Sequence, residues 1–187
     1  MTSTNRVAFF GGSFDPPHRS HAGVIRQLLQ KGPIDSLVVV PVFAHAFEKQ
    51  LTPFVHRLAL SDIAFADIPG VSVSALEQTL PVPNYTLHSL RALQEQHPNW
   101  QLRLVVGSDV INEKDDWHDF DGVVKLAPLL AVGREGAPAD GAPDAEVPAM
   151  SSSKIRAVLS ESYDTPELGR WLDAGVLDYI RRHGLYR

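Results

Sequence analysis

The feature that most constrains this chain is Gly11-Gly12-Ser13-Phe14-Asp15-Pro16-Pro17-His18-Arg19-Ser20-His21, set directly after the apolar run Val7-Ala8-Phe9-Phe10. A short apolar run closed by glycines reads as a buried strand entering a turn. Beyond it, His21 to Lys31 carries Val24, Ile25, Leu28 and Leu29 at helical spacing, with Gly32-Pro33 as the stop. Strand, glycine turn and helix in that order make a cradle for an anion. Glycines let the backbone approach a phosphate, and the helix start offers unpaired N–H groups at the positive end of its dipole. His18 and His21, three residues apart, face the same way on a first helical turn. Two imidazoles there can donate to polyphosphate oxygens as charge builds during group transfer. The plainer readings are a Gly-Pro turn with two surface histidines, or half of a zinc site. Zinc lacks support, since there is no cysteine and no third ligand at a recognisable spacing. The turn also departs from the Gly-x-Gly-x-x-Gly dinucleotide fingerprint.

The rest of the chain alternates strand and helix patterns. Leu37-Val38-Val39-Val40, ended by Pro41, reads as a second strand, and Phe54 to Phe65 as a helix with Leu58, Ile63 and Phe65 inward. Val71 to Ala75 is a third strand. Tyr85 to Gln96 is a helix with Leu87, Leu90 and Leu93 on one face. Leu102 to Val106, closed by Gly107, and Leu129 to Val132, closed by Gly133, are further strands. Ser151-Ser152-Ser153 opens a helix running to about Ser160, and a last helix, Val176 to His183, ends at Gly184. This alternation predicts an α/β protein: a doubly wound, mainly parallel sheet with helices on both faces and a small C-terminal helical part. In such sheets ligands sit outside the carboxyl ends of the strands, where Gly11-Gly12, Pro41, Gly107 and Gly133 all lie. Glu135 to Ala149, rich in Ala, Pro, Gly and Asp without periodicity, reads as a flexible surface loop. Too little chain follows it for a separate core, so residues 1–187 are expected to form one domain.

Composition narrows the function. With 187 residues, 44% hydrophobic and 21% charged, the chain can bury a core without covalent staples. The absence of cysteine excludes disulfides, thiolate metal sites and a thiol nucleophile, and fits a reducing cytosol. The opening MTSTNRVAFFGG lacks the apolar core and cleavage site of a signal peptide. No apolar run approaches the ~20 residues that cross a bilayer, so a cytoplasmic protein with no membrane partner is expected. A net charge of -5 argues against a broad nucleic-acid surface. Any bound anion must be held by a local pocket, which favours a small phosphorylated ligand.

The second chemical signal is Ser151-Ser152-Ser153-Lys154-Ile155-Arg156. Hydroxyls at a helix start cap free N–H groups or hold an anion, and Arg156 adds a forked donor. Alone this is a well-capped helix. Paired with the first motif, about 130 residues earlier, it is much more specific.

Together the motifs resemble the HxGH nucleotidylyltransferase superfamily, whose signature is Gly-x-Phe-Asp-Pro-x-His-x-Gly-His. Ser20 stands where that family usually has glycine. The resemblance implies a Rossmann-like fold and catalytic roles for His18, His21 and Arg156. It implies ATP binding by Gly11, Gly12, Ser13, Phe14, His18, His21, Ser152, Ser153 and Arg156. Gly107-Ser108-Asp109 is similar to the family's Gly-x-Asp segment, which adds Gly107 and Asp109 near the adenosine ribose. The closing Val176-Leu177-Asp178-Tyr179-Ile180 and Gly184-Leu185-Tyr186 also follow the family's pattern, read here as packing.

Over nearly its whole length the chain most resembles nicotinate-nucleotide adenylyltransferases. That resemblance implies ATP and nicotinate mononucleotide as substrates, with Mg²⁺ held mainly by the ATP phosphates rather than by a protein cage. Acceptor contacts are expected from Asp15, Lys49, Tyr85, Thr86 and Trp117, the last as a ring that stacks on the pyridine. Lys49, with Arg57, would supply positive charge. Two departures lie on the acceptor side: Thr79 and Leu80 stand where the family has an arginine after the residue matching Glu77, and the Pro-Pro-His-Lys segment is altered to His45–Lys49. The alternatives left open are another acceptor, nicotinamide mononucleotide or 4′-phosphopantetheine, and a non-catalytic nucleotide-binding regulator. A homo-oligomer is left open too.

Overall fold

A computed structural model of the chain describes residues 5–44, 50–107, 114–133 and 150–187. Lys49, Asp109 and the expected loop over residues 135–149 lie outside the described residues.

Strand β1 (Asn5–Gly12) alternates its side chains between two apolar layers. Val7 and Phe9 enter one core cluster and Ala8 the other, as the two-residue period of a strand dictates. Helix α1 (Arg19–Lys31) buries Ala22, Ile25 and Leu28, a stripe at three-residue spacing. β2 (Ser36–Pro41) is buried over its last five residues, as expected of a parallel strand covered on both faces. Next come α2 (Phe54–Phe65), β3 (Val71–Val73), a short 3-10 turn over Leu76–Thr79, and α3 (Thr86–Gln96). The chain continues through β4 (Trp100–Gly107), α4 (Phe120–Leu126) and β5 (Leu129–Val132). It ends with α5 (Ser152–Glu161), α6 (Pro166–Trp171) and α7 (Ala174–His183).

The described strands form one sheet in the order β3-β2-β1-β4-β5, parallel at every pairing. β1 lies at its centre. The chain winds from β1 outward through β2 and β3, then returns to the other side of β1 for β4 and β5. The resulting crevice between the carboxyl ends of β1 and β4 is where doubly wound sheets take their ligands.

One face of the sheet packs on Leu87, Leu90 and Leu93 of α3 and Val123 of α4. The other packs on Ile25 and Leu28 of α1 and Phe65 of α2. A third cluster joins Leu60 of α2 to Ile155, Leu159, Leu168, Leu172, Val176 and Ile180 of the C-terminal helices. The fold is the expected α/β one, with two local differences. On α2 Phe65 is buried as expected, together with Leu60, Ser61 and Arg57, whereas Leu58 and Ile63 are half-buried. α4 and α6 were not anticipated from the periodicity, being seven and six residues long.

Candidate active site

The turn after β1 carries the densest set of long-range ties among the described residues. Phe14 takes a left-handed backbone, φ 45°, uncommon for a bulky residue, and its ring is 3% exposed. Around it the turn is held from four sides. Arg57, 1% exposed, donates from Nη1 to the Ser13 carbonyl at 2.9 Å and from Nε to the Thr52 carbonyl at 2.8 Å. Arg156 donates from Nη1 to the Asp15 carbonyl at 2.7 Å. Ser152 Oγ donates to the Pro16 carbonyl at 2.9 Å. The Asp15 carboxylate, itself buried, accepts the Thr52 N–H on Oδ2 at 3.1 Å and the Tyr186 hydroxyl on Oδ1 at 2.9 Å. The turn and the start of α5 thus meet at one point, although 130 or more residues separate them in the chain.

His18 caps α1 in an extended conformation, and its ring stacks on that of His21 with centroids 3.7 Å apart. His21 also meets Phe14 edge-on at 5.1 Å. Its Nδ1 accepts the backbone N–H of His18 at 3.2 Å. A ring nitrogen that accepts carries no proton, which leaves the proton on Nε2. Nδ1 of His21 is therefore committed to the start of α1. His18 is 5% exposed, so it lies within the packed turn rather than at an exposed pocket edge.

Ser151 supplies the cap of α5, its Oγ accepting the Lys154 N–H at 3.2 Å. That leaves Ser152 and Ser153 for other duties: Ser152 holds Pro16, and Ser153 Oγ accepts from Arg156 Nη2 at 3.2 Å. Arg19 reaches the C-terminal helices, donating from Nε to the Leu172 carbonyl at 3.0 Å.

Across the crevice a second polar network fixes the segment after β2 to the start of α3. Glu77, 5% exposed, accepts the Phe43 N–H at 3.0 Å and the Ser89 hydroxyl at 2.8 Å. Burial raises its pKa, while those two hydrogen bonds and the nearby Arg57 pull it back. Asn84 accepts the Ala44 N–H at 2.8 Å and donates to the Glu77 carbonyl at 3.2 Å. Tyr85 caps α3 without a side-chain hydrogen bond, and its carbonyl accepts the His88 N–H at 2.9 Å.

The expected site residues separate into groups. Gly11, Gly12, Ser13, Phe14, Asp15, His18, His21, Ser152, Ser153 and Arg156 come together around one turn. Gly107 ends β4, the neighbouring strand, and pairs with Val132. Tyr85 and Thr86 stand at the start of α3. Trp117 is half-buried against the cluster beneath α3, edge-on to Phe120 at 5.9 Å. The ring that lies flat on Tyr85 is its neighbour His118, 4.3 Å away. Arg57 is buried, with Nε and Nη1 each donating to a backbone carbonyl. Asp15 turns both oxygens inward, so in this arrangement it ties Thr52 and Tyr186 to the turn. Tyr186 was read as packing. Its hydroxyl contact spans 171 residues, and local spacing carries no signal for it.

Residues 9–158 match the cytidylyltransferase-like family model. A protein named a probable nicotinate-nucleotide adenylyltransferase from Anaeromyxobacter dehalogenans is 36% identical, with both chains covered completely. One of the same name from Myxococcus xanthus is 33% identical over all of this chain and 97% of its own. Among solved structures, the Plasmodium falciparum nicotinic acid mononucleotide adenylyltransferase complexed with NaAD superposes with a TM-score of 0.82. That match is 22% identical and covers 97% of each chain, a likeness of fold.

Proposed function

The chain belongs to the cytidylyltransferase-like family and, within it, to the nicotinate-nucleotide adenylyltransferases, and from that premise we propose its reaction. It transfers the adenylyl group of ATP to nicotinate mononucleotide, giving nicotinate adenine dinucleotide and pyrophosphate, a step of NAD biosynthesis. The observation that carries this reading is the meeting of the two motifs: Arg156 and Ser152 of α5 bond to the carbonyls of Asp15 and Pro16, three and two residues before His18.

An oxygen of the acceptor's phosphate attacks the α-phosphorus of ATP as the bond to the β-phosphate oxygen breaks, and pyrophosphate leaves. The acceptor phosphate is ionised at neutral pH, so the reaction requires no strong general base. What the protein must supply is alignment and donors where negative charge gathers. His21, with its proton on Nε2, offers one such donor, and the stacked His18 ring lies beside it. Arg156 and Ser153 serve the outer phosphates, Ser152 holds the turn beside them through Pro16, and the turn at Gly11-Gly12 lets the backbone approach them. Gly107 and Asp109 would serve the ribose.

Among the described residues, no three His, Cys, Asp or Glu side chains are grouped to hold a metal, and Asp15 is engaged internally. The donors instead suit a polyphosphate, so Mg²⁺ would enter with ATP, held chiefly by its phosphates. Such an ion would supply charge neutralisation on the leaving pyrophosphate.

On the acceptor side, the first-turn amides of α3 and Thr86 form a donor group suited to a carboxylate. Tyr85 and Trp117 provide aromatic surface for a flat ring. Lys49 is assigned to the acceptor's phosphate. No helix among the described residues is long and apolar enough to cross a membrane, and we assign the protein to the cytoplasm. The test is pyrophosphate release from ATP with nicotinate mononucleotide, nicotinamide mononucleotide or 4′-phosphopantetheine as acceptor. Release that requires ATP and the first of these supports the reading. Release only with phosphopantetheine, or with no acceptor, overturns it.

A further inference from the structure

We propose that Tyr186, next to last in the chain, is a positioning residue that clasps the catalytic turn through Asp15. The inference rests on the functional reading above for its effect on turnover, though not for the clasp itself. α7 ends at Gly184 in a left-handed conformation, φ 60°, and the Leu185 N–H bonds back to the Ile180 carbonyl at 3.1 Å. This is the turn by which a helix reverses its chain. It sends the tail toward the carboxyl end of β1.

Tyr186 is then itself left-handed, φ 69°, a conformation that costs a bulky L-residue energy unless its surroundings impose it. What imposes it is the 2.9 Å bond from its hydroxyl to Asp15 Oδ1. At the other end of that bond, Phe14 is the second left-handed bulky residue, one position before Asp15. The clasp therefore joins two strained segments. Burial and the Asp15 carboxylate push the Tyr186 hydroxyl well above its usual pKa, which keeps it a donor throughout the working pH range.

Two neighbouring contacts fasten the tail independently. Tyr163 Oη donates to the Leu185 carbonyl at 2.7 Å, and the Arg187 guanidinium lies over the Tyr163 ring at 4.2 Å. Removing the Tyr186 hydroxyl alone should leave the tail docked while releasing Asp15 Oδ1, so that the Thr52 N–H on Oδ2 alone holds the carboxylate. Asp15 shares its segment with the carbonyls that Arg156 and Ser152 hold, so its release loosens the approach to His18. Small misplacements of such groups cost turnover out of proportion to binding.

The experiment is Tyr186→Phe in the full chain, with steady-state kinetics, a thermal melt and amide exchange over residues 11–21. The clasp predicts kcat down about tenfold or more, KM for ATP changed by less than about threefold, and faster exchange across 11–21. A cycle with Asp15→Ala should be strongly non-additive, since both variants break one contact. Unchanged exchange over 11–21 overturns the clasp whether or not the wild type is active. Unchanged kcat in an active enzyme overturns its catalytic importance, and so does a loss of kcat fully accounted for by unfolding. If the wild type releases no pyrophosphate with any acceptor, the functional reading fails, while the exchange result still decides the clasp.

Discussion

At the level of single residues, the chemistry of this site depends on which atoms are already spoken for. His21 commits Nδ1 to the cap of α1, and its role in the proposed reaction falls to the rest of the ring. Replacing His21 with alanine should therefore do two things: lower kcat by roughly 10²-fold and cost about 1 kcal/mol of stability through the lost cap. Replacing His18, stacked and 5% exposed, should lower kcat similarly. Near-normal turnover in either variant, measured by pyrophosphate release, would remove it from the mechanism. Arg156 illustrates why shape matters as well as charge. One guanidinium bonds both the Asp15 carbonyl and Ser153 Oγ, which a single ammonium cannot span. Arg156→Lys should accordingly raise KM for ATP and fail to restore kcat. His18, His21, Ser152 and Arg156 were legible in the sequence because their spacing is local and their chemistry is distinctive. Arg57 and Tyr186 were not. Each acquires its role from a partner 44 or 171 positions away.

Secondary-structure elements were legible in proportion to their length and periodicity. β1, β2, α1 and α3 follow from clean apolar stripes, whereas α4 and α6 are too short for a stripe to repeat. Their caps did carry signals: Asp119 accepts the Gly122 N–H at 3.0 Å, and Pro166 sits at the first position of α6 after Thr165. Asp119 has a left-handed backbone, φ 53°, which Asn tolerates well. Asp119→Ala should cost about 1 kcal/mol in chemical unfolding, while Asp119→Asn should stay close to the wild type. A different tie joins the start of β1 to the segment before β2. Asp35 receives a forked pair from the Arg6 guanidinium, at 3.1 and 2.6 Å, and the Arg6 N–H at 2.9 Å. These bonds, led by the one from the guanidinium, lower its pKa from 3.8 to about 2. A depressed carboxylate contributes stability that is present above its unfolded value and is lost as pH falls through the folded one. Asp35→Asn should therefore flatten the acid limb of a stability profile between about pH 4 and pH 2. An unchanged limb would show that solvent already screens this exposed pair.

At the scale of the whole molecule, the sheet brings chemistry from both ends of the chain to the crevice beside β1. The α/β class followed from the alternation of elements. The third core cluster did not, since it arises only when α2 packs against the C-terminal helices. That cluster seats α5, and with it Ser152 and Arg156. Ile155→Ala should cost about 2–5 kcal/mol, and its loss of activity should fall on ATP affinity before the fold melts. On the proposed function, this crevice reads a pyridine carboxylate and adenylylates its bearer. The most direct measurement is kcat/KM for nicotinate mononucleotide against nicotinamide mononucleotide at saturating ATP. Donors at the start of α3 would meet an NH₂ group in the amide and leave one of their number unpaired, at a cost of about 1–3 kcal/mol. The expected preference for the acid is roughly ten- to a hundredfold. Equal specificity constants would contradict it.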